Sequence, residues 1–170
     1  MTKLLLPNIR SAQNVGTIFR TAEAFGVEEV LLSGYTPQPI DRFGRDRPDI
    51  AKAALGAEKM LPWKSIDNIS QYLIEEKKKG LYVVGLEQES ESIDLRQSEK
   101  IKDIIKNQKN LILVVGNEVE GIDQEIRELV DMFVEIQMFG KKESLNVAIA
   151  TGIILWEFLG KQDNNDQLDR

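Results

Sequence analysis

Two segments in the middle of the chain, LYVVGL at 81–86 and NLILVV at 110–115, are apolar at almost every position. A strand with one face in water alternates polar and apolar side chains, because successive residues point to opposite faces. A strand without that alternation has both faces covered, the situation of a parallel sheet between layers of helices. KLLLPN at 3–8, EEVLLSG at 28–34 and MFVEIQM at 132–138 read as further strands. Helical patterns fill the gaps. From Ser11 or Asn14 to Phe25, the residues Val15, Ile18, Phe19, Ala22 and Phe25 share one face, and Gly26 ends the helix. DIAKAALGAEKML at 49–61 predicts one short helix, SIDNISQYLIEEKKKG at 65–80 a longer one, and DQEIRELV at 123–130 another short one. QESESIDLRQSEK at 88–100 reads as loop, followed by a helix to Asn107. Strands alternating with helices give an α/β fold with a mostly parallel sheet flanked by helices. There is no internal repeat and no linker, so 1–160 reads as one domain, and the polar tail at 161–170 is expected to be disordered.

Composition narrows the chemistry. The chain has 170 residues and contains neither cysteine nor histidine. That excludes disulfides, thiolate nucleophiles, cysteine zinc sites and the Ser-His-Asp triad. Arg, Lys, Asp, Glu, Ser, Thr, Tyr, Asn and backbone groups are left to act. No apolar run is long enough to span a membrane and the N-terminus lacks a signal-peptide core, so a cytoplasmic protein without membrane contact is expected. The net charge of −6 argues against indiscriminate binding to nucleic acid. The charge is uneven, however: residues 1–64 hold 9 basic against 7 acidic residues, and 65–170 hold 13 against 21. A phosphate-bearing partner would prefer the first part, above all the Gly/Pro/Arg-rich loop at 34–50 with Arg42, Arg45 and Arg47.

Ligands of open parallel sheets sit beyond the carboxyl ends of the strands, and three polar clusters fall there. In NIRSAQNVGTIFRTAEAFG at 8–26, Arg20 lies opposite the apolar stripe. It reads either as an exposed helix arginine near Glu23, with Asn14 as N-cap, or as a functional cation. VVGNEVEG at 114–121 is either a plain turn or a close backbone approach to a ligand at Gly116; it is neither a dinucleotide fingerprint nor a phosphate loop. SLNVAIATGIILWEF at 144–158 opens on Ser144, a natural N-cap, and is apolar nearly all round except at Asn146 and Glu157. Such a helix is buried on several sides, by the sheet and by a second subunit, and a buried amide at Asn146 needs a hydrogen-bond partner.

In order and spacing, NVGTIFRTAEAFG, LILVVGNEVEGI and EIQMFGKKESLNVAIA resemble the three motifs of the SpoU family of RNA ribose methyltransferases, within the knotted methyltransferases. AKAALGAEKML also resembles the family's segment after its second strand, so the likeness covers residues 3–160. It implies a C-terminal trefoil knot, S-adenosylmethionine bound in that knot and released as S-adenosylhomocysteine, a homodimer with the active site near its interface, no metal, and methyl transfer to a ribose 2′-oxygen. The motif matches assign Asn14, Arg20, Glu118, Ser144 and Asn146 to the catalytic set, and Leu86, Gly116, Ile136, Met138 and Leu145 to the cofactor. Arg10, Arg42, Arg45, Arg47 and Lys141 are the expected RNA contacts, with transfer RNA favoured over ribosomal RNA. The extra N-terminal RNA-binding domain of many members is expected to be absent, since the first motif begins almost at once.

Transfer from a sulfonium needs positioning and a way to handle the hydroxyl proton, so a chain without histidine or cysteine suffices. Guanidinium stays charged and accepts protons poorly, so Arg20 reads better as a stabiliser of phosphate and developing alkoxide than as a base. A knotted domain that binds the cofactor or RNA without turnover is the alternative. A flavodoxin-like small-molecule binder fits the strand–helix alternation and leaves the motifs unexplained.

Overall fold

A computed structural model describes residues 1–105, 108–117 and 120–160, without the side chains of Ser98 and Ile105. Seven strands form one sheet in the order β3-β2-β1-β6-β4-β7-β5. They are β1 (Thr2–Pro7), β2 (Glu29–Ser33), β3 (Trp63–Ile66), β4 (Leu81–Leu86), β5 (Ile93–Asp94), β6 (Asn110–Val115) and β7 (Met132–Glu135), and every neighbouring pair is parallel. The helices are α1 (Ala12–Ala24), α2 (Pro48–Ala54), α3 (Ala57–Met60), α4 (Ile69–Lys77), α5 (Ser98–Ile105), α6 (Gln124–Arg127) and α7 (Val147–Phe158).

The apolar runs do what their lack of alternation implies. Leu4 and Leu6 of β1 join the core beneath α1, α2 and α7, together with Leu32, Leu113, Phe19 and Leu155. Leu5, between them, points the other way, into a second core with Leu31, Ile112, Leu73 of α4 and Ile126 of α6. Both faces of the central strands are therefore sealed, and Leu4, Leu5 and Leu6 are all fully buried.

Four details differ from the sequence reading. WKSI forms edge strand β3, so the helix expected from residue 65 starts only at Ile69, capped by Asn68, whose side chain accepts from the Gln71 N–H at 2.9 Å. Ile93–Asp94, expected as loop, pairs with β7. The helix expected over 49–61 breaks in two because Leu55 and Gly56 are both left-handed, at φ 52° and 96°. The strand expected over 132–138 ends at Glu135. The end of the helix expected at Asn107 and the tail at 161–170 lie outside the described residues.

Candidate functional site

The carboxyl ends of β4, β6 and β7 open into a cleft of about 460 Å³. Each strand delivers residues to it as it stops: Leu86 from β4, Val115 and then Gly116 from β6, and Glu135 and then Ile136 from β7. Met138, Glu143, Ser144 and Leu145, on the way to α7, supply further lining, as do Val147 and Ala150 of α7 itself. All five positions expected around a cofactor therefore share one cleft.

Its rim is built by close backbone approach. A Cβ on Gly116 would sit 2.5 Å from the Gly121 carbonyl carbon and 2.8 Å from the Ile122 nitrogen, because the loop after β6 folds back onto its own start. Asn117 N–H donates to the Gly121 carbonyl at 2.9 Å, and Gly121 N–H donates back at 3.3 Å. Glu87, following Leu86, accepts the Ile122 N–H at 2.9 Å and an Arg127 N–H at 2.8 Å; Arg127 also meets Glu89. These charge-assisted bonds clamp the loops after β4 and β6 together. The Gln88 side chain donates to the Glu143 carbonyl at 3.3 Å, tying that rim to the segment before α7. Beyond β7, Arg96 donates to Gln137 and lies 5.0 Å from the Phe139 ring. Its hydrogen bonds to Asp94 hold that carboxyl below the usual carboxylate range.

The first and third polar clusters meet at the start of α7. Asn146 is its N-cap, the side-chain oxygen accepting from Ala148 N–H at 2.9 Å and Ile149 N–H at 3.4 Å. With that oxygen committed to the cap, the amide NH₂ faces outward and donates to the Asn14 side-chain oxygen at 3.1 Å, across 132 residues of sequence. This corrects three expectations. Ser144 does not cap α7; it lies exposed in the approach and lines the cleft. Asn14 does not cap α1; Ser11 does, its hydroxyl accepting the Asn14 N–H at 3.2 Å. Asn146 is exposed rather than buried, though its amide does find backbone partners, the first N–H groups of α7, and adds to them another motif asparagine.

Arg20 is exposed, opposite the buried stripe of α1 as its position implied, and makes no hydrogen bond or ion pair among the described residues. It stands about 9 Å along the helix from Asn14 and a third of a turn round. It does not line the cleft within one chain. Within one chain the last helix is covered on one side and open on another: Ile149, Ile153 and Trp156 form an exposed stripe at 56%, 38% and 54% accessibility. That stripe borders α1, where the Phe25 and Trp156 rings meet edge to face at 6.2 Å.

Arg10 and Lys141 are exposed, the first just ahead of α1 and the second in the segment between β7 and α7. Arg42 and Arg47 line a second, shallower groove beside Arg45. Glu118 lies outside the described residues. Sequence reasoning missed Glu87, Glu120, Glu135 and Glu143, four carboxylates around the cleft. Glu87 carried one legible signal, an acid placed directly after an all-apolar strand. An apolar floor, a carboxylate rim and a volume within the ordinary range for small-molecule sites suit a planar heterocycle that carries a cationic group.

Residues 1–156 match the SpoU rRNA Methylase family. The chain is 33% identical over 154 residues to a 23S rRNA (guanosine-2′-O-)-methyltransferase of Neisseria meningitidis, covering 91% of this chain and 56% of that protein. It is 31% identical to the tRNA (guanosine(18)-2′-O)-methyltransferase of Aquifex aeolicus, covering 96% and 71%. Among solved structures, the AdoMet-bound rRNA methyltransferase of Sinorhizobium meliloti superposes with a TM-score of 0.76 at 31% identity, over 92% of this chain and 54% of that one. The A. aeolicus TrmH/SpoU tRNA modifying enzyme gives 0.75 at 30% identity, over 92% and 72%. The chain thus spans between about half and three-quarters of the length of these relatives.

Proposed function

The chain belongs to the SpoU methylase family, and from that membership we propose that it transfers a methyl group from S-adenosylmethionine to a ribose 2′-hydroxyl of structured RNA. The observation that carries this is the Asn146–Asn14 hydrogen bond beside the cleft, which joins the first and third motifs on different helices. Leu86, Gly116, Ile136, Met138 and Leu145 would hold the adenosyl group, and the carboxylates at the rim suit its cationic end. Bound there, S-adenosylmethionine supplies a methyl group on a positively charged sulfur.

The protein's own work is positioning and charge. Asn14 and Asn146 orient one another, and Ser144, which lines the cleft, would hydrogen-bond the incoming sugar. Glu118, which lies outside the described residues, is the acid that the motif resemblance adds to the set. Arg20 holds a neighbouring phosphate and stabilises the alkoxide as the 2′-hydroxyl loses its proton to phosphate or water. Within one chain Arg20 stands off the cleft, so the same reading makes the enzyme a homodimer. The apolar stripe of α7 beside α1 is its contact, and a second copy brings its Arg20 to the reaction. Sedimentation at the mass of a single 19.3 kDa chain would reject that arrangement. The knot belongs to this reading too: the segment after β7 shares the cleft with the loops after β4 and β6 before reaching α7.

We infer transfer RNA ahead of ribosomal RNA as the substrate; the relatives above include an enzyme of each kind, and the RNA fraction that takes up label separates the two. Labelled cofactor, bulk RNA and alkaline digestion test the reaction. A 2′-O-methyl group removes the nucleophile that alkali needs, so label is expected in alkali-resistant dinucleotides from the transfer RNA fraction. Label in mononucleotides would mean base methylation, and no transfer would favour a domain that binds without turnover.

A further inference from the structure

The loop at 34–47 is more than a basic connector. Ile40 and Asp46 form an antiparallel bridge, and Arg47 N–H donates to the Pro39 carbonyl at 2.9 Å, which makes the loop a small hairpin. Asp41 fixes its tip. Its carboxylate accepts the backbone N–H of Phe43 at 2.8 Å and of Arg45 at 3.0 Å, and the Arg45 side chain at 2.9 Å. The Arg45 backbone bond, with its side chain and Phe43 adding to it, holds that carboxyl below the usual range, so it stays ionised. At the tip this frame holds Phe43 out, 66% exposed, with the Arg42 guanidinium 4.7 Å and the Arg45 guanidinium 5.0 Å from the ring centroid.

A single exposed phenylalanine is unremarkable; this one is held in place, flanked by cations, and opens on a groove of about 840 Å³ that it shares with Tyr35, itself 53% exposed. Arg45 and Arg47 are paired with Asp41 and Asp49, whereas Arg42 has no ion pair among the described residues. The groove starts where β2 ends, two strand positions from β6 and its Gly116. Those two strand ends stand about 10 Å apart on the carboxyl side of the sheet, the side on which the cleft opens.

We propose that this groove takes an unpaired nucleobase of the RNA substrate, stacked on Phe43, with Arg42 on the adjoining phosphate. The proposal rests on the RNA-methyltransferase reading and adds to it a substrate class, RNA that presents a single-stranded or extruded nucleotide near the methylated one. Aromatic faces bind bases of any sequence, and arginines beside them supply phosphate and cation–π contacts. Charge favours this occupant: Asp41, Asp46 and Asp49 are paired with Arg45, Lys59 and Arg47, which leaves the Arg42 guanidinium for a phosphate.

The test uses the full chain, labelled S-adenosylmethionine, bulk RNA, and a short RNA in single-stranded and duplex forms. Phe43→Ala is expected to raise KM for bulk RNA and weaken single-strand binding by roughly 5- to 150-fold, the loss of one base stack. Affinity for S-adenosylmethionine and for the duplex stays unchanged, and Phe43→Tyr restores most of the loss. An unchanged KM in Phe43→Ala, or equal losses for duplex and single strand, overturns the proposal. If the unaltered chain transfers methyl groups to bulk RNA while Phe43→Ala does so with the same KM, the groove alone is rejected. If the unaltered chain neither binds nor methylates RNA, both readings fall.

Discussion

Arg20→Ala is expected to lower methyl transfer by about 100- to 1,000-fold, the usual cost of losing a donor to a developing oxyanion. Arg20→Lys should lose most of that rate as well. Lysine keeps the charge but cannot present two parallel N–H donors to a phosphate or to the oxygen beside it. The stability of the protein should not move with either variant. Arg20 is exposed in the interior of α1, contacts no partner among the described residues, and lysine and alanine are both good helix formers. A melting curve that changes by less than the equivalent of about 0.5 kcal/mol, beside a collapsed rate, separates chemistry from folding. Full activity in Arg20→Lys would show that generic charge suffices and would remove the bidentate role.

Gly116→Ala tests the rim from the opposite direction, since here fold and site should fail together. The added methyl would lie 2.5 Å from the Gly121 carbonyl carbon, 2.7 Å from its Cα and 2.8 Å from the Ile122 nitrogen. All three are backbone atoms, so no flexible side chain can swing aside. Nor can the loop drift away cheaply. Asn117 and Gly121 bond each other, and Ile122 is held by Glu87, which is held in turn by Arg127. Overpacking of this kind costs about 1–3 kcal/mol, which lowers the melting temperature by about 2–12 °C in a chain of this size. Because Gly116, Asn117 and Gly121 line the cleft, affinity for S-adenosylmethionine should fall at least tenfold in the same variant. An unchanged melting curve with unchanged cofactor binding would mean that the close approach at Gly116 is unnecessary.

The central architecture was legible because burial on both faces leaves a mark that few other structures leave. LLL in β1 and LILVV in β6 carry no polar positions, and in the structure alternate leucines do enter opposite cores. The edges left no such mark. β3 is a four-residue edge strand whose side chains are half-buried or exposed, and β5 is two residues long, so backbone pairing rather than a pattern of side chains defines them. The break between α2 and α3 did have a signal: Gly56, a residue suited to a left-handed turn, stood in a stretch read as continuous helix.

At the site, the cleft-lining positions were legible through the resemblance: Leu86, Gly116 and Ile136 sit at or just beyond the ends of strands, and Met138 and Leu145 lie in the segment that leads from β7 to α7. The caps were not. Ser11, Asn14, Ser144 and Asn146 all have side chains able to cap, and composition cannot say which of two candidates stands where the backbone turns helical. The structure gives α1 to Ser11 and α7 to Asn146, which leaves Asn14 to meet Asn146. The carboxylate rim escaped notice because Glu87, Glu120, Glu135 and Glu143 come from four separate segments, and folding alone brings them together. Under the proposed dimer, the position of Arg20 relative to the chemistry also depends on a second copy, which one chain's sequence does not describe; within one chain it does not line the cleft.

A crystal structure with S-adenosylhomocysteine bound tests the cleft most directly. The adenine should lie between the ends of β4 and β6 and the segment from Met138 to Leu145, touching Leu86, Gly116, Ile136 and Leu145, with Arg20 of a second copy facing the sulfur. An adenosyl group seated elsewhere on the chain, or Arg20 turned from the cleft in every copy of the assembly, would contradict it.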